Sequence, residues 1–73
     1  MKPQDRLLEL ERQGEAYYEA MYDARDPKVD YANAKDTFGS AIELAREIGD
    51  VTAAERLEAR LAHIKAVFRS QFS

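Results

Sequence analysis

Asp30-Tyr-Ala-Asn-Ala-Lys-Asp-Thr-Phe-Gly-Ser-Ala-Ile-Glu-Leu-Ala-Arg-Glu-Ile-Gly-Asp50 is the stretch that decides the fold. Apolar residues recur in it at Ala34, Phe38, Ala41, Ala45 and Ile48. Steps of three and four place all of them on one face of a helix. Three of the five are alanine, so a neighbour can approach that face closely. The preceding segment supplies one. Its own apolar stripe, Leu7, Leu10, Gly14, Tyr17 and Met21, has a glycine at its centre.

Working outward, Pro3 suits the first turn of a helix, where its missing N–H has no partner to lose. The first helix fades through Asp23-Ala-Arg-Asp26, and Asp26-Pro27 reads as a stop. Residues 24–29 then form a charged loop, with Asp30 as N-cap of the second helix. Gly49 suits a C-terminal cap at positive φ, and Asp50 caps the third helix at once. So short a connection makes an antiparallel hairpin of the second and third helices. The third helix presents Ala54, Leu57, Leu61, Ile64 and Phe68 inward. The expected fold is all-α: one three-helix antiparallel bundle over 1–73, with helices at about 3–24, 30–48 and 51–71.

Composition narrows the function classes. A 73-residue chain without cysteine has no disulfide to staple it, and a chain this short has a thin stability margin. Self-association or close helix packing is the remaining staple. The absence of cysteine and of an apolar signal core fits a cytoplasmic protein, and no apolar run approaches the ~20 residues of a membrane span. His63 is the single histidine, with no second histidine at a metal-ligand spacing, so neither metal nor other cofactor is expected. The glycines are isolated and make no phosphate loop. Acids are plentiful, but a thin three-helix body offers little depth for an acid–base pair, and no enzyme activity is expected.

The net charge of −3 is uneven. Glu11, Glu15, Glu19 and Asp23 form an acidic ladder along the first helix, each four residues from the next. Like charges at that spacing destabilise an isolated helix by about 0.2–0.5 kcal/mol per pair. Arg56, Arg60 and His63 form a ridge on the third helix that matches it. The two either meet, within one subunit or across a dimer, or remain separate solvated faces. Leu8, Tyr18, Tyr22, Ile42, Leu44 and Val67 lie off the inward stripes, as scattered surface residues or as a contiguous interface patch. Tyr17 is expected in the core. Gly39 in mid-helix costs up to about 1 kcal/mol relative to alanine, which close helix approach or simple tolerance explains.

Gly14-x-x-Tyr17 followed by Ala34-x-x-x-Phe38-x-x-Ala41-Ile-Glu-Leu-Ala45 resembles a tetratricopeptide repeat, over about residues 7–50. The segment from Tyr17 to Ala34 is longer than the repeat pattern, and Lys65 stands where a second repeat has an aromatic residue. The third helix therefore reads as a cap. One repeat plus a cap is also similar to the three-helix microtubule-interacting-and-trafficking domain. The resemblance implies a protein-binding module whose missing neighbours are supplied by copies of the chain, hence a homodimer. It places Glu11, Glu15, Tyr18 and Glu19 on the ligand-facing side, where acids favour a basic protein partner. Tyr22, Arg56 and Arg60 complete the candidate contact set. The alternatives are a nucleic-acid-associated regulator using Arg56, Arg60, Lys65 and Arg69, and a small-ligand carrier.

Overall fold

A computed structural model describes residues 2–72. Three helices follow one another: α1 over Pro3–Met21, α2 over Pro27–Glu47 and α3 over Val51–Gln71. They pack as an all-α bundle measuring 36 × 22 × 13 Å, with α2 against both α1 and α3. The α1 and α3 backbones scarcely approach each other. The body is therefore flat, and long side chains close the gap between its outer helices.

The second helix starts earlier than the sequence suggests. Pro27 is its first residue, and Asp26 rather than Asp30 is the N-cap. Asp26 Oδ1 accepts a hydrogen bond from the Lys28 N–H at 3.2 Å. The Asp26-Pro27 pair thus begins α2, because the ring that cannot continue one helix fits the first turn of the next. Asp30 falls in that first turn, where its charge complements the helix dipole. The first helix ends at Met21, with Tyr22 as its C-cap. The other junction is as expected. Gly49 sits at φ 77°, a conformation that side chains resist. Asp50 caps α3 through Oδ1 to the Ala53 N–H at 3.0 Å.

The core holds Leu7, Leu10 and Met21 of α1, Ala34, Phe38, Ala41, Ile42 and Ala45 of α2, and Ala53, Ala54, Leu57 and Ile64 of α3. The stripe read from the decisive stretch is the buried one, apart from the half-buried Ile48. Two side chains depart from expectation. Ile42, placed off the stripe, is buried because α2 is flanked on two sides and so buries a wider arc than a hairpin helix. Tyr17, placed in the core, is 36% exposed. Phe38 fills the space beside Gly14, and the tyrosine ring stays at the margin.

The two mid-helix glycines differ in kind. A Cβ on Gly14 meets Cε2 of Phe38 at 2.7 Å and Cδ2 at 2.9 Å. The close approach of α1 and α2 is thus built on a missing side chain facing a large one. A Cβ on Gly39 meets nothing within 4 Å. Close approach therefore does not explain Gly39. Gly14→Ala is expected to destabilise by about 1–3 kcal/mol through overpacking, partly offset by helix propensity. Gly39→Ala is expected to stabilise by about 0.5–1 kcal/mol, since only propensity changes. Urea titration of the two variants checks both, and equal shifts of the same sign contradict the packing around Gly14.

Candidate interaction surface along the α1–α3 seam

Glu11 and Glu15 of α1 stand one turn apart, as do Arg56 and Arg60 of α3. Both pairs are separated by 45 residues, so the two helices run parallel in one register. Arg60 donates from Nε to Glu15 Oε2 and from Nη2 to Oε1, each at 2.7 Å. Arg56 holds Glu11 in the same two-pronged way, with Nη2 to Oε2 at 3.0 Å. The fork of a guanidinium matches a carboxylate edge, which fixes register as well as charge. Each bridge is partly open to water and contributes only ~0.2–1 kcal/mol. The carboxylate hydrogen bonds raise the pKa of both arginines, which are charged at any physiological pH in any case.

Two of the four ladder acids, Glu11 and Glu15, thus meet the basic ridge within a single chain. Four of the seven candidate contact residues, Glu11, Glu15, Arg56 and Arg60, spend their charge on one another. A further cross-link, Arg46 to Glu58, ties α2 to α3.

Beyond the bridges the seam turns aromatic. Arg60 lies over the Tyr18 ring at 5.0 Å, a cation–π contact. Tyr18 meets His63 edge-on at 6.5 Å and Tyr22 edge-on at 5.6 Å. Tyr22 meets Phe72, Phe72 meets Phe68, and Phe68 stacks on Tyr31 at 3.9 Å. Six rings from all three helices form one chain across the end of the bundle. Phe72, the C-cap of α3, packs on the Tyr22 and Phe68 rings and against the core. The sequence hides this chain, because its members come from three helices with no common spacing. Lys35 adds a contact over Tyr31 at 4.6 Å.

The remaining candidates are Tyr18, Glu19 and Tyr22. Tyr18 is half-buried, and its hydroxyl shares a 3.0 Å hydrogen bond with the Tyr22 hydroxyl. Tyr22 is held by rings on two sides and is still 51% exposed. Glu19 is exposed and has no ion-pair partner among the described residues. The patch expected from Leu8, Tyr18, Tyr22, Ile42, Leu44 and Val67 is not continuous. Ile42 is buried, Tyr18, Leu44 and Val67 are half-buried, and Leu8 and Tyr22 stand open.

No family model, curated protein or solved structure matches the chain. No helix among the described residues is long and apolar enough to cross a membrane.

The hydrogen bond shared with the Tyr22 hydroxyl, with some loss of hydration, favours the neutral Tyr18 phenol and raises its pKa, against a smaller opposing pull from Arg60. The ordinary tyrosine value is about 10. Because the folded value is the higher one, this contribution to stability is complete below about pH 10 and is lost as pH climbs through the folded pKa. Absorbance titration at alkaline pH is expected to show one tyrosine ionising late. Tyr22→Phe is expected to bring it back toward the rest, and an unchanged curve contradicts the hydroxyl pair.

Proposed function

We propose that the chain is a small non-enzymatic protein–protein interaction module, a tetratricopeptide-like hairpin with a capping helix, which associates with a second copy of itself and with a basic protein partner. The observation that carries this reading is Tyr22. Its ring is fixed in place by Tyr18 and Phe72 while half of its surface faces water. A rigid, half-exposed aromatic side chain contributes contact area with little ordering cost on binding, and tyrosine is enriched at the centres of interfaces. Glu19 and Asp23, both exposed, flank it and favour a basic surface opposite. Leu8, Val29 and Val51 are further large apolar side chains left in water by a single copy.

The nucleic-acid reading has less support. Arg56 and Arg60, two of its four cations, are committed to carboxylates of the same subunit.

A photo-crosslinking benzoylphenylalanine at position 22, compared with one at the exposed Ser40 on α2, tests the proposal. Discrete protein adducts at position 22 that are absent at position 40 are expected in cells of the native source. Equal labelling at both positions, or none at either, defeats it.

A further inference from the structure

A shallow depression of about 400 Å³ lies on the outer side of the N-terminal half of α1, lined by Asp5, Leu8, Glu9 and Arg12. Leu8 is 59% exposed there. Asp5, Leu8 and Arg12 are spaced three and four residues apart, so they form one stripe with the leucine between an acid and a base. Glu9 is already engaged, by Arg6 at 3.8 Å and by Gln13 at 3.3 Å. Asp5 and Arg12 are not: neither has an ion-pair partner among the described residues. Elsewhere on α1, by contrast, the facing acids Glu11 and Glu15 are both matched by arginines.

We propose that this stripe is the contact face between two copies of the chain, joined by a two-fold axis that crosses α1 between Leu8 and Glu9. The inference rests on the self-association in the reading above and assigns it a surface. A two-fold interface must be self-complementary: whatever residue i touches must touch i in return. An axis at that point sets Asp5 opposite Arg12 of the second copy, and Arg12 opposite Asp5 of the second copy. The two leucines meet across the axis, where each removes the other's side chain from water. The charges also fix the direction. Parallel α1 helices set acid on acid and base on base, whereas antiparallel helices make two attractive pairs. The contact spans only about two turns per copy, so it belongs to the small, transient class of interfaces.

Two exposed substitutions test it. Asp5→Arg leaves two bases on the stripe and Arg12→Asp leaves two acids. The sedimentation equilibrium of each variant is compared with wild type from about 10 µM to about 1 mM protein, the range of weak complexes. Wild type is expected to form dimers, and each variant alone to dimerise at least about tenfold more weakly. An equimolar mixture of the two variants is expected to recover the wild-type constant, because every arginine then faces a carboxylate. Recovery on mixing cannot come from misfolded protein. Wild-type protein that stays monomeric throughout the range overturns the proposal. So does a dimer that neither substitution weakens, or variants that weaken and do not recover on mixing. The last two results leave self-association standing and remove only this face. The crosslinking at position 22 reads the module function independently of both.

Discussion

Phe38→Ala is expected to cost about 3–5 kcal/mol. Phe38 is fully buried and is one of the largest side chains in the core. Its ring lies against the Gly14 backbone, so the cavity left by truncation opens at the point where α1 and α2 approach most closely. Nothing on the α1 side can fill that cavity, because Gly14 has no side chain to move. At roughly 0.05–0.15 kcal/mol per residue, a chain of 73 residues has about 4–11 kcal/mol of stability in all. One substitution therefore removes a large share of the total. Thermal unfolding followed by circular dichroism checks this, at about 4–8 °C per kcal/mol for a domain of this size. A loss below about 1 kcal/mol means that the ring does not occupy the space between the helices.

Leu57→Ala is expected to cost about 2–5 kcal/mol, but in a different place. Leu57 is fully buried on α3, whose only extensive packing is against α2. The bridges from Arg56 and Arg60 to α1 are partly open to water and cannot hold α3 unaided. Truncation is therefore expected to loosen α3 more than the α1–α2 hairpin. Native-state hydrogen exchange separates the two, because local opening shows as lost protection in one element. Lost protection confined to the amides of 51–71 is the expected outcome. Equal loss over all three helices means that the bundle opens only as one unit.

Most of the fold was legible along the chain because helices are local. The recurrence at Ala34, Phe38, Ala41 and Ala45 identified the buried face of α2, and the alanines pointed to Gly14 as the place of closest approach. Gly49 and Asp50 marked the second junction through backbone and capping chemistry that needs no distant partner. The first junction was misread by three residues at its far side. A proline after an aspartate ends one helix and begins another equally well, and only the path of the chain decides which. Tyr17 and Ile42 were misplaced for a related reason. Both lie at the edge of a stripe, and the width of the buried arc depends on how many neighbours a helix has.

The candidate site was legible as capacity and not as arrangement. Four acids at steps of four and a basic ridge on another helix marked charges that either meet or stay solvated. The sequence alone determined three amphipathic helices, their order, the faces they bury and an excess of acid on the first. Only the tertiary structure decided that Glu11 meets Arg56 and Glu15 meets Arg60 inside one subunit, that six rings join across one end, and that Asp5, Leu8 and Arg12 are left over. The physical reason is that α1 and α3 scarcely touch through their backbones. Their register is set by the way each packs on α2, a quantity that no spacing within either helix contains.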